Sequence, residues 1–110
     1  MSFQIIASNR FDRFIKRLQK KYRSIPSDFA DFLAELAANP RSGDALGRDC
    51  YKVRMSIAAK NKGKSGGARV ITCVKIVGET VYLLTIYDKS EQDSISDNER
   101  DELLRENGLL

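Results

Sequence analysis

The hydrophobic periodicity of this chain changes once, at Cys50, and that change limits the fold more than any other feature. Before it, Phe11, Phe14, Ile15, Leu18 and Tyr22 recur on one helical face, and Phe29, Phe32, Leu33 and Leu36 repeat the pattern. After it, Tyr51, Val53, Met55 and Ile57 alternate with Lys52, Arg54 and Ser56, the period of a half-buried strand. Helices grouped ahead of strands predict an α+β fold.

Punctuation residues set the expected boundaries. FQIIAS reads as a short strand, with Ser8-Asn9 offering a cap to the first helix. A second helix follows Ser24-Ile25-Pro26 and stops at Asn39-Pro40, completing a helical hairpin. Strands are expected from Cys50, over Ala68 to Val77, and over Thr80 to Asp88, with Gly78-Glu79 as a two-residue type II′ turn. Ser96-Asp97-Asn98-Glu99 has capping-box spacing ahead of ERDELLREN, and Asn107-Gly108 suits a helix end. The expected architecture is one domain, residues 1–110: an N-terminal strand and a helical hairpin packed on a small antiparallel sheet, with a short C-terminal helix.

The string GKSGG at residues 63–67 ends like a phosphate-binding loop, but position 58, where a Walker motif needs glycine, is alanine. A strand-like run, ARVITCVKIV, follows it instead of a helix. NKGKSGG is therefore expected to be a flexible hairpin tip whose lysines project into solvent. With no histidine, and with Cys50 and Cys73 outside any CxxC pattern, no metal or cofactor is expected, and the thiols read as reduced and partly buried. No apolar run approaches the ~20 residues of a membrane span, and a cytoplasmic protein without membrane contact is expected.

Charge is unevenly distributed. Residues 1–89 carry 17 Lys/Arg against 8 Asp/Glu, whereas residues 90–110 carry 2 against 7. Between Cys50 and Gly78, Lys52, Arg54, Lys60, Lys62, Lys64, Arg69 and Lys75 stand with a single acid-free background, a field suited to a polyanion such as nucleic acid. Alternation puts Lys52, Arg54 and Ser56 on the face away from the helices, and the most apolar core choice for the next strand turns Arg69, Ile71, Cys73 and Lys75 the same way. On the last strand, the Val81, Leu83, Thr85, Tyr87 and Lys89 set brings Tyr87 and Lys89 to the cations, although Tyr82, Leu84 and Ile86 are about as apolar. The resulting strip of Ile71, Leu83 and Val81 calls for a cover, either the C-terminal helix or a partner. Such a cationic face suits RNA cleavage, since RNA supplies its own 2′-hydroxyl nucleophile and arginine stabilises the charge that develops on the phosphate.

YKVRM, KNKGKSGGARVI and VYLLTIYDKSEQDSIS, together with ANPRSGDAL, resemble the RelE/ParE toxin superfamily over nearly the whole chain, closest to its HigB/RelE-like branch. The resemblance implies a RelE-like fold and a ribosome-dependent, metal-independent endoribonuclease. Such a toxin cuts mRNA in the ribosomal A site and is held inactive by a cognate antitoxin. Matched by position, Arg54, Arg69 and Lys89 fall on the family's active-site cations, and Lys60, Lys62 and Lys64 on its RNA-gripping hairpin, with Lys52 beside them. Where relatives carry a C-terminal tyrosine this chain has Ser96, and Tyr87 is the substitute within reach. Two other readings stand beside this one: a ParE-like toxin that acts on DNA gyrase by protein contact, and a plain nucleic-acid-binding module.

Overall fold

The computed structural model describes residues 3–61 and 63–110, the Lys64 side chain excepted. Strand β1 (Gln4–Ala7) leads into helices α1 (Asn9–Lys21) and α2 (Ile25–Ala38). Strands β2 (Asp44–Gly47), β3 (Cys50–Met55), β4 (Ala68–Lys75) and β5 (Thr80–Asp88) follow, and helix α3 (Asp97–Glu106) comes last. The fold is α+β, with a five-stranded sheet in the order β1-β5-β4-β3-β2. Three antiparallel strands were expected. The sheet gains β2 on one edge, and on the other β1, which runs parallel to β5 and makes the sheet mixed.

Local chemistry explains most element ends. The Ser8 hydroxyl accepts from the Phe11 N–H at 3.0 Å, capping α1, and donates to the Leu84 carbonyl at 2.8 Å, tying the start of the helix to β5. At the other end of the chain the Ser96–Glu99 capping box is complete. Ser96→Ala is expected to lower stability by about 1 kcal/mol, read as a lower urea midpoint at unchanged m-value.

The β4–β5 connection departs from expectation. Both strands stop short of a two-residue loop, and the turn is closed by the Glu79 N–H on the Ile76 carbonyl, with Gly78 in the third position at φ 89°. Glycine is used there because a third-position residue with positive φ strains any side chain.

Helices α1 and α2 cover one face of the sheet. Phe11, Ile25, Phe32 and Leu36 pack there against Val53, Met55, Val70, Val74, Val81, Leu83 and Ile86. Helix α3 covers a smaller apolar cluster on the other face, where Leu103 and Leu104 meet Cys50, Ile71, Cys73 and Leu84. The expected cover is thus the chain's own C-terminal helix. Arg10 of α1 grips Glu106 of α3 through two hydrogen bonds of 2.6 and 2.9 Å, and Arg48 reaches Asp101 at 3.1 Å. The two cysteines are both free, buried and directly opposed across β3 and β4.

One backbone irregularity corrects the predicted strip. Ile71 pairs with Thr85 but Thr72 pairs with Leu83, so Leu84 is an extra residue in β5. Such a bulge reverses the facing of side chains on either side of it. Val81 and Leu83 therefore join the helix-side core, while Leu84 and Tyr87 belong with the α3 side.

The segment between β3 and β4 is more built than a free tip. Two short 3₁₀ turns, Ala58–Lys60 and Lys64–Gly66, shape it. Asp28 of α2 accepts from the Ala58 N–H, and the Ser24 hydroxyl accepts from the Ala59 N–H. At Gly67 a Cβ would collide with the Met55 carbonyl oxygen, so the last glycine of GKSGG permits close strand approach. Lys60 does not project into solvent. Its ammonium bonds the Asp88 carboxylate at 2.6 Å, with side-chain exposures of 8% and 0%. Lys62 and the Lys64 side chain lie outside the described residues.

Candidate functional site

The site is built from three adjacent strands in register. Arg54 on β3 stands opposite Arg69 on β4, and Arg69 stands opposite Tyr87 on β5. The Val74 N–H donates to the Asp49 carbonyl at 2.9 Å, and counting the alternation from that bonded pair makes Arg54/Arg69 a narrow, non-hydrogen-bonded pair. Facing residues in such a pair stand about 4.5 Å apart at Cα, and like charges so placed repel. Lys52 lies one alternation further along β3, opposite Ile71.

The two arginines differ in setting. Arg54 is exposed between the buried Val53 and Met55, so its side chain leaves the helical core. Arg69 is only 4% exposed; its guanidinium donates to the Ser65 carbonyl at 2.9 Å and to the Ala68 carbonyl at 3.1 Å. It thereby fixes the end of the β3–β4 segment as well as contributing positive charge. Arg54 is therefore open to solvent, whereas Arg69 lies buried beside it.

Tyr87 adjoins this pair. Its hydroxyl donates to the Asp93 carbonyl at 3.2 Å. Burial pushes the phenol up to about 12, against the opposing pull of Arg69, so at neutral pH it is a proton-bearing donor and not a base. A cleft of about 180 Å³ opens beside it, lined by Phe14, Thr85, Ile95 and Glu99 among others.

Lys89 follows β5, and its backbone N–H donates to the Gly67 carbonyl at 3.0 Å, which brings it to the end of the β3–β4 segment. Its ammonium pairs with Asp93 at 2.9 Å. Lys89 bonding holds the Asp93 carboxyl below the usual carboxylate range, with Lys52 and Arg69 adding to the effect. Asp93 was not singled out in the sequence; the one available signal was its spacing four residues after Lys89.

Asp88 turns to the other side of β5 and organises the base of the site. Burial pushes its carboxyl up, but hydrogen bonds from Lys60, Tyr22 and Ser90 outweigh burial and hold it well below the usual range. The Tyr22 hydroxyl donates at 2.7 Å and the Ser90 hydroxyl at 2.7 Å. Lys60 is consequently a structural cation. Among the described residues no cluster of three or more His, Cys, Asp or Glu side chains is placed to hold a metal, and no helix is long and apolar enough to cross a membrane.

Fold and site together define a small α+β domain with a basic, two-arginine strand face. The family model described as the RelE toxin of the RelE/RelB toxin–antitoxin system matches residues 5–107. The chain belongs to that family of toxins. Among solved structures it is similar to a free-state Escherichia coli RelE toxin carrying two arginine-to-alanine substitutions, with a TM-score of 0.60 and 16% identity over 96% of this chain and 98% of that one. The isolated E. coli RelE toxin gives a TM-score of 0.56 at 18% identity, covering 94% of this chain and 97% of that one. A chain of the RelBE2 toxin–antitoxin complex from Mycobacterium tuberculosis gives 0.59 at 15% identity, covering 80% and 99%. At these identities the three likenesses speak for the fold alone.

Proposed function

We propose that this toxin is a metal-independent endoribonuclease that cuts mRNA on the ribosome and is neutralised by a cognate antitoxin. The observation that carries the reading is the facing pair Arg54/Arg69 with Tyr87 next in register. Placing two arginines opposite each other costs stability unless an anion is to be held there.

In this reading a phosphate of single-stranded mRNA lies over the pair. The 2′-hydroxyl gives up its proton to solvent as its oxygen bonds to phosphorus, the bond to the 5′-oxygen breaks with that oxygen taking up a proton, and the products are a 2′,3′-cyclic phosphate and a 5′-hydroxyl. Arg54 holds non-bridging oxygens with its planar fork, and the positive charge of Arg69 beneath stabilises the added charge on phosphorus. The protonated Tyr87 phenol suits donation towards an oxygen of the reacting phosphate. Lys52 and Lys89 extend the cationic face along the RNA backbone, with Lys62 and Lys64 of the connecting segment expected to add to it. Membership of a toxin–antitoxin family supports the antitoxin partner. The absence of a long apolar helix among the described residues agrees with action in the cytoplasm, where translation occurs.

The test is induced expression in a bacterial host with mapping of mRNA 5′ ends. Growth arrest with in-frame cuts bearing 5′-hydroxyl ends is the expected result. Arrest with intact transcripts and damaged DNA would instead favour a gyrase-directed toxin, and no arrest a plain binding module.

A further inference from the structure

We propose that the segment after β5 masks the cationic site of its own chain, the Asp93 carboxylate standing where a phosphate would bind until a polyanion displaces it. The inference rests on the functional reading above and concerns the regulation of the same site.

Two anchors hold the segment in place. At its start the Ser90 N–H and hydroxyl both bond Asp88, at 2.9 and 2.7 Å, which turns the chain back immediately after β5. At its end Ser96 caps α3, which is itself packed on the sheet through Leu103 and Leu104. Between these points the Gln92 side chain donates to the Ser94 carbonyl at 3.0 Å, and Tyr87 donates to the Asp93 carbonyl at 3.2 Å. Asp93 is thereby delivered to Lys89 at 2.9 Å, within the field of Lys52 and Arg69. Three cations assigned to RNA, Lys89, Lys52 and Arg69, thus act on one carboxylate of the acidic tail, while the Tyr87 hydroxyl holds the backbone carbonyl of the same residue.

The contact is built to be exchanged. The Asp93 side chain is 81% exposed, and an ion pair so open to water holds weakly and is screened by salt. A single carboxylate competes poorly with a ligand that brings several phosphates at once, each releasing counterions as it binds. The mask therefore weakens contact with scattered anions more than contact with an extended strand.

The experiment uses the full chain and its Asp93→Asn variant, with Glu79→Gln as a control that removes the same charge at the opposite end of β5. Two probes are titrated: a single-stranded 2′-O-methyl RNA, which lacks the nucleophile and is not cut, and inorganic pyrophosphate. Asp93→Asn is expected to bind both more tightly, pyrophosphate by about fivefold and the RNA by about twofold. Its salt dependence on RNA should steepen by about 0.7 for the cation set free. A gain on pyrophosphate when no variant binds RNA would uphold the mask and reject the RNA reading. Equal pyrophosphate affinity in Asp93→Asn and the parent chain, or an equal gain in Glu79→Gln, would overturn the mask whatever happens with RNA.

Discussion

Asp88→Asn is expected to destabilise the protein by about 3–5 kcal/mol, because it removes one partner of a buried ion pair and leaves the other without compensation. The Asp88 carboxylate accepts from Lys60 at 2.6 Å, Tyr22 at 2.7 Å and both donors of Ser90. Asparagine keeps the shape but offers one acceptor oxygen where two were in use, and its NH₂ group points a donor at other donors. Three segments lose their common tie: the end of α1, the β3–β4 segment and the turn after β5. Urea unfolding at pH 7 measures the loss, and a change below about 0.5 kcal/mol would contradict the assignment. Lys60→Met with Asp88→Asn should recover part of it, since the stranded ammonium is then gone.

The same carboxylate fixes the sign of a pH effect. Its folded pKa lies below the ordinary value, so its stabilisation is fully present above the unfolded carboxylate pKa of about 3.9 and is lost as pH falls towards the folded value. Between pH 7 and 5 the parent chain should therefore show no loss of stability from this group. Below about pH 4 its stability should fall more steeply with decreasing pH than that of Asp88→Asn. Parallel curves for the two chains would show that the carboxylate is not the group responsible.

The helices and the three main strands were legible in the sequence because each buries one face and obeys its own period. β2 was not, for two physical reasons. Asp44–Gly47 contains one large apolar residue, Leu46, and its hairpin turn is formed by Arg48 and Asp49 at φ 52° and 65°, without the glycine that usually advertises such a turn. The facing of β5 was ambiguous for a different reason. Both parities are apolar because both are used, one on each side of the bulge at Leu84. The inward turn of Lys60 also left no local trace, since its partner is 28 residues away.

Those differences change which substitution isolates the chemistry. The sequence put Arg54 and Arg69 together among the active-site cations, yet Arg69 also bonds the Ser65 and Ala68 carbonyls, so Arg69→Ala mixes lost charge with a loosened segment. Arg54 is exposed at the same register position on the next strand. Arg54→Ala is expected to reduce mRNA cleavage about 10²–10³-fold, the usual effect of removing one donor to a developing oxyanion. Its melting temperature should stay within about 2 °C of the parent, because an exposed surface change away from any network alters stability little. Arg54→Lys should fall between the two, keeping the charge but losing the planar fork that spans two phosphate oxygens. A folded Arg54→Ala chain that cuts as fast as the parent would remove Arg54 from the site. Loss of cleavage in Arg69→Ala alone would then point to positioning of the β3–β4 segment, not to a pair of arginines on the phosphate.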